Sequence, residues 1–102
     1  VLGALTNDDV TRPLAMALER FNACYAAGLG RDEGLAGAMT QIFVIGPDGK
    51  VIETNVDASS VGDAEVERCF SAVIQSMSFP APTDGEIVVV EYRFGLSSEE
   101  IG

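Results

Sequence analysis

The sequence has no histidine and few basic residues. Its 102 residues include 6 lysines and arginines against 16 aspartates and glutamates, so the formal net charge is −10. The lack of histidine removes the commonest general base and the commonest metal ligand of proteins. The shortage of positive charge argues against partners that are themselves negative, namely nucleic acids and anionic membrane surfaces. The composition therefore disfavours a hydrolase, a metal protein and a nucleic-acid-binding protein.

Long apolar runs are also missing. No run approaches the ~20 residues that cross a bilayer, so we expect no direct membrane insertion by this fragment. No signal-peptide pattern is present either. The chain begins with Val1 instead of an initiator methionine. We therefore expect that it is processed or cut from a longer protein, in which an anchor or export signal lies upstream.

The acidic residues form no metal-binding or catalytic motif. Oxygen-bearing side chains cluster between Asn55 and Glu65, but the glycine and the ligand spacing do not match a calcium loop. The pairs Asp32–Glu33 and Glu99–Glu100 are interpreted as solvent-facing charge. Two cysteines alone make neither a CxxC motif nor a four-ligand zinc set. We therefore predict no enzyme activity, no metal and no cofactor.

Two amphipathic helices are predicted. Thr6 and Asp9 can form a capping box before an apolar stripe at helical spacing, and this stripe consists of Val10, Leu14, Leu18, Phe21, Tyr25 and Leu29. Pro13 predicts a kink, with helix on both sides, and Gly28 and Gly30 predict the helix end. The second helix should begin near Asp63, and its stripe is Val66, Cys69, Phe70, Val73, Ile74 and Met77.

Three strands are predicted from alternating apolar residues. The segments 38–45 and 51–56 flank a turn rich in glycine and proline, which indicates a hairpin. Val51 and Val56 can both face inward only if a bulge separates them. The third strand covers 86–94. The order helix, strand, strand, helix, strand predicts a single α+β domain over residues 1–102, with frayed ends at 1–4 and 97–102. Its three-stranded antiparallel sheet has the order 2-1-3 and carries two helices on one face.

The third strand has apolar residues on both faces. Alternation directs Val88, Val90, Tyr92 and Phe94 toward the helices and directs Ile87, Val89, Glu91 and Arg93 away from them. Ile42 and Val44 of the first strand belong to the same outer face. Three interpretations remain open: a partner strand docks at this edge, a second copy of the chain docks there, or these residues are exposed strand formers without a role.

Several stretches resemble one known family when they are taken in order, namely LTNDDV, NACYAAGL, GLAGAMTQIFVIGPDGKV, VERCF, SFPAP and VVVEYRF. They are similar to the carboxy-terminal domain of TonB-family proteins, and in particular to the myxobacterial AgmX/PglI type associated with adventurous gliding motility. The resemblance implies an α-β-β-α-β fold in a periplasmic, non-enzymatic domain. It also implies a force- or energy-transducing protein that spans the envelope and is anchored in the inner membrane by an upstream segment.

The resemblance also bears on individual residues. It implies export, and an oxidising compartment favours a disulfide between Cys24 and Cys69, the alternative being two buried thiols that act as small apolar residues. It further implies that an extended segment of an outer-membrane or periplasmic protein adds to the last strand. The expected edge comprises Ile87, Val89, Glu91 and Arg93, with Ile42 and Val44 beside it. The alternative function is a homodimerising scaffold domain of an envelope assembly.

Overall fold

A computed structural model describes residues 3–96 of the chain. Within these residues it has the helices α1 (Asn7–Met16), α2 (Leu18–Arg31) and α3 (Ala64–Gln75), and the strands β1 (Gly37–Ile45), β2 (Val51–Ser59) and β3 (Val88–Leu96). The strands form one antiparallel sheet in the order β2-β1-β3, so the predicted α+β fold and strand order are confirmed. The prediction of two helices is corrected to three. The predicted fraying of 97–102 and of the first two residues lies outside the described residues.

The first predicted helix is divided in two. The capping box is present, because the Asp9 N–H donates to the Thr6 Oγ1 at 3.1 Å and the Thr6 N–H donates to the Asp9 carboxylate at 3.0 Å. Helix continues on both sides of Pro13, as predicted, but the interruption lies at Ala17. Pro13 leaves the Asp9 carbonyl without its helical donor, and α1 nevertheless continues from Asn7 to Met16.

Two predictions about the first helical segment were wrong. Leu18 is 57% exposed, because the buried stripe passes through Ala17 instead. The buried stripe consists of Val10, Leu14, Ala17, Phe21, Cys24, Tyr25 and Gly28. Gly28 and Gly30 do not end the helix, since α2 continues to Arg31 and neither glycine has a positive φ. Gly28 instead permits close packing, because a Cβ at this position would lie 2.6 Å from a Val66 methyl carbon of α3.

Helix α3 buries Val66, Phe70, Val73 and Ile74 of its predicted stripe. Of the other two predicted residues, Cys69 is half-buried, and Met77 is buried but lies beyond the end of the helix at Gln75. Asp63 caps it by accepting hydrogen bonds from the Glu65 and Val66 N–H groups, both at 3.0 Å. Its Phe70 ring lies 4.9 Å from the Phe21 ring and 5.1 Å from the Phe94 ring, measured between centroids. These aromatic contacts join α2, α3 and β3 into one core.

The two outer strands pair differently with β1. Along β2 the register shifts twice, which leaves Ile52 and Asp57 as extra residues in bulges. The first bulge lies between Val51 and Val56, as predicted from their odd spacing, and both valines pack into the core. The β1–β3 register has no shift over its nine pairs. β2 also extends to Ser59, beyond the predicted end, because residues that read as a loop pair with the start of β1.

The helices cover one face of the sheet. On that face a buried amide specifies the packing: Gln41 donates to the Ser71 hydroxyl at 3.0 Å and accepts from the Thr54 hydroxyl at 2.9 Å. This network joins β1, β2 and α3 and leaves none of the described buried side-chain polar atoms without a partner. Between residues 3 and 96, no helix is both long enough and apolar enough to cross a bilayer.

Candidate functional site

The outer edge of β3, here called the β3 edge, presents free backbone groups. Ala38 of β1 directs its backbone toward β2, because its carbonyl accepts from the Ser60 N–H at 2.9 Å. The alternate residues Met39, Gln41 and Phe43 therefore direct their backbone groups toward β3, where the register places Phe94, Tyr92 and Val90 opposite them. The intervening residues of β3 point the other way, and these are Val89, Glu91, Arg93 and Gly95. In the described chain no other strand lies beside them.

The other edge of the sheet is protected. Bulges at Ile52 and Asp57 bend β2 and interrupt its ladder, and such bulges are a common defence against pairing with another chain. β3 has neither a bulge nor a proline along Val88–Leu96. The contrast identifies the β3 edge as the one that is open to an additional strand.

The residues predicted for partner binding lie together on the outer face of the sheet. Val89 pairs with Val44 and Glu91 pairs with Ile42, so the two strands present adjacent side chains. Val89, Val44 and Ile42 are half-buried, whereas Glu91 and Arg93 are exposed. Ile87 is 50% exposed. We call Ile42, Val44, Ile87 and Val89 the outer patch, and within the described chain no element covers it.

The start of β3 differs from the prediction by two residues. The strand begins at Val88 and not at Glu86, because the preceding turn continues to that point. Gly85 has a φ of 71°, and the Asp84 carboxylate accepts from the Glu86 N–H at 3.0 Å. Both features belong to turn geometry, so Ile87 lies immediately before the strand.

A groove that the sequence did not predict lies between the β3 edge and the first two helices. It has a volume of about 470 Å³ and is lined by Thr11, Leu14, Ala15, Leu18, Phe21, Asn22, Tyr25, Phe70, Tyr92, Arg93, Phe94, Gly95 and Leu96. The sequence does offer one signal, since Tyr92 and Phe94 extend the inward face of β3 beyond the fully buried Val88 and Val90. Their rings lie 4.9 Å apart and form one wall of the groove.

The disulfide joins the two long helices. Cys24 of α2 and Cys69 of α3 are bonded, with their Cα atoms 5.7 Å apart and 45 positions between them in the sequence. Cys24 is buried and Cys69 is half-buried. The predicted pairing is therefore present, and it holds the helices that cover the sheet against each other.

An ion cluster lies near the disulfide-linked helices. Arg31 near the end of α2 contacts the Asp63 carboxylate at 2.9 Å and the Glu65 carboxylate at 3.1 Å. The Val66 N–H and then the Arg31 guanidinium lower the pKa of Asp63 by hydrogen bonding to its charged form. The hydrogen bond to Asp63 likewise raises the pKa of Arg31. These groups are satisfied structural partners of the α3 cap and not a reactive site.

The described residues are better suited to backbone pairing and apolar contact than to making or breaking covalent bonds. Across residues 3–96 no three acidic, cysteine or histidine side chains are grouped so that they could hold a metal ion. The predicted edge residues and the disulfide occupy separate parts of the fold. The edge, the outer patch and the groove adjoin one another at β3 and make up the candidate interaction site.

Comparison with known proteins supports the fold. No family model and no curated protein matches the sequence. Among solved structures, the TonB C-terminal domain of Pseudomonas aeruginosa is similar, with a TM-score of 0.55, 19% identity, and coverage of 71% of this chain and 75% of that one. A TonB C-terminal domain of Helicobacter pylori has a TM-score of 0.50 and 17% identity, with 78% of each chain covered. At these identities the likeness shows a TonB C-terminal-domain-like fold.

Proposed function

We propose that this chain is a non-enzymatic interaction domain that binds an extended segment of another protein by strand addition at the β3 edge. The observation that carries the proposal is the continuous free edge, in which Val89, Glu91, Arg93 and Gly95 direct backbone groups away from the sheet. Main-chain hydrogen bonds to these residues supply affinity without a deep pocket. The outer patch adds apolar contact for side chains of the added strand.

The cellular setting of the proposal is the periplasm. The resemblance to TonB-family domains and the likeness of the fold support an envelope-spanning protein whose partner is an outer-membrane or periplasmic segment. A disulfide is typical of an oxidising compartment. The sequence motifs extend this proposal in three ways. They support anchoring in the inner membrane through an upstream segment, transduction of force or energy, and a role in gliding motility.

Site-specific photo-crosslinking in the native cell tests the proposal. Glu91 of β3 and Glu53 of β2 are both exposed and lie on outer strands, so each can be replaced by the photoreactive residue p-benzoylphenylalanine as a matched pair. We expect a crosslink to an envelope protein from position 91 and none from position 53. Val89→Lys should remove the crosslink, whereas Ile52→Lys on the protected edge should keep it, with folding checked by circular dichroism.

The alternative function is a homodimeric scaffold. One observation favours it: the free edge of β3 is uninterrupted over the whole strand. The β3 strands of two copies can therefore pair in antiparallel fashion about a two-fold axis. The formal charge of −10 on each copy opposes it. A crosslink from position 91 to the chain itself, together with a concentration-dependent dimer in sedimentation, would establish the scaffold. Equal crosslinking from positions 91 and 53 would contradict both functions.

A further inference from the structure

The groove beside β3 specifies which segment the edge accepts. We propose that the partner of the β3 edge is a cationic extended segment with large apolar side chains at two alternating positions, and that these side chains enter the groove. This proposal rests on the proposed function, because it requires a strand beside β3. It adds the chemistry of that strand and the direction in which its side chains point.

The groove opens directly onto the free edge. Arg93 and Gly95 line it, and both direct their backbone groups away from β1. Gly95 has no side chain, so its backbone forms this rim. An added strand would lie about 4.8 Å beyond β3 and would alternate its side chains between the two faces. Every second side chain would then lie beside Tyr92 and Phe94 on the helix side, inside the groove.

The walls of the groove require apolar occupants. Leu18 is 57% exposed and lines the groove, whereas its neighbours on the buried stripe are covered. The rings of Phe94 and Phe21, whose centroids are 4.9 Å apart, also line the groove. The volume of about 470 Å³ is within the range of sites that enclose small organic molecules, and two large side chains are comparable in size. A polar strand would leave this surface uncovered.

Charge decides between a second copy and a foreign segment. A second copy carries the same formal charge of −10, so the two domains repel each other on approach. A segment that carries lysine or arginine beside its apolar residues is attracted instead, which raises the association rate and suppresses acidic competitors. The formal charge of −10 therefore favours a basic segment of another protein over a copy of this chain.

Three synthetic nonapeptides provide the test. The first, acetyl-KTFTFTVTK-amide, has its apolar residues at alternating positions. The second, acetyl-KTFTTFVTK-amide, has the same composition with the phenylalanines on opposite faces and no two apolar residues at alternating positions, and the third, acetyl-ETFTFTVTE-amide, reverses the charge of the first. Each is titrated into the domain labelled with ¹⁵N and with ¹³C at its leucine methyl groups, with its disulfide intact. The amides of Val89, Glu91, Arg93 and Gly95 report on the edge, and the methyl groups of Leu14 and Leu18 report on the groove.

Matched variants isolate the groove from the edge. Leu18→Ser removes apolar lining, and Met16→Ser makes a similar change at an exposed residue outside the groove. Ala15→Trp fills the groove, and Ala23→Trp places the same side chain at an exposed position of α2 outside it. None of these four changes removes a core residue, so all four variants should fold.

The first peptide should bind at least about fivefold more tightly than the second, because the second places less apolar area in the groove. It should also bind more tightly than the third, because the acidic domain repels the glutamates of the third. Leu18→Ser and Ala15→Trp should abolish the preference over the second peptide, and Met16→Ser and Ala23→Trp should retain it. If the first two peptides shift the edge amides with equal affinity, and the groove variants change nothing, then strand addition stands and the groove proposal is overturned. Equal binding of the third peptide overturns the cationic preference. If no peptide shifts the edge amides, strand addition and the groove proposal both fail.

Discussion

Gly28 of α2 lies so close to Val66 of α3 that a Cβ on the glycine would be 2.6 Å from a valine methyl carbon. Val66 is buried and cannot move aside without disturbing the core. Gly28→Ala should therefore destabilise the domain by about 1–3 kcal/mol through overpacking. Gly30→Ala on the same helix is the control, because nothing lies within 4 Å of its Cβ position. It should leave stability unchanged or raise it by up to about 1 kcal/mol. Urea unfolding measures both, and a stabilising Gly28→Ala would show that α2 and α3 are further apart.

The disulfide between Cys24 and Cys69 should add substantially to stability. A cross-link over 45 positions removes loop entropy worth about 3–4 kcal/mol from the unfolded chain in the entropy model. The double Cys24→Ala, Cys69→Ala variant should lose a large part of this free energy of unfolding while keeping its far-ultraviolet circular dichroism. Mass spectrometry of protein from an oxidising compartment, alkylated without reductant, should find no free thiol at either residue. Two alkylated thiols would contradict the bond.

Local sequence patterns were enough to predict the sheet and α3. Alternation along β1 and β3 follows from burial on one face, and the odd spacing of Val51 and Val56 forces the bulge at Ile52. The second bulge at Asp57 was missed, because polar residues at a strand end have the same composition as a loop.

Features that depend on two distant elements were not predictable. The exposure of Leu18 depends on the break at Ala17, and the role of Gly28 depends on where α3 approaches α2. A glycine near a helix end has the same sequence signal whether it caps the helix or permits close packing. The edge position of β3 was predictable from the strand order 2-1-3. The groove beside it was not, because its walls come from both ends of the chain.

Acid should weaken the cap of α3. The pKa of Asp63 is lowered in the folded protein, chiefly by the hydrogen bond from the Val66 N–H and then by Arg31. A lowered folded pKa means that the charged cap stabilises the protein fully above the ordinary pKa of aspartate, about 3.9, and that this stabilisation is lost as the pH falls through the folded value. Asp63→Asn should therefore reduce the dependence of Tm on pH below about pH 4. If the variant shows the same pH dependence as the wild type, Asp63 is not a source of acid sensitivity.

Amide hydrogen exchange should show an alternating pattern along β3 in a dilute monomer. Val88, Val90, Tyr92 and Phe94 direct their N–H groups toward β1, whereas those of the β3 edge, namely Val89, Glu91, Arg93 and Gly95, have no strand beside them in the described chain. Amides paired inside a sheet exchange only when it opens, so the two sets should differ by about a hundredfold or more in rate.

The central strand supplies the control for this pattern. β1 is paired on both sides, so its amides should be slow at every position from Ala38 to Ile45. Adding a peptide that pairs with β3 should slow exchange at Val89, Glu91 and Arg93 without changing β1. If these three amides are already as slow as those of β1 in the dilute monomer, the strand is not an edge. Strand addition at β3 would then be impossible, because its hydrogen-bonding groups would already have partners within the domain.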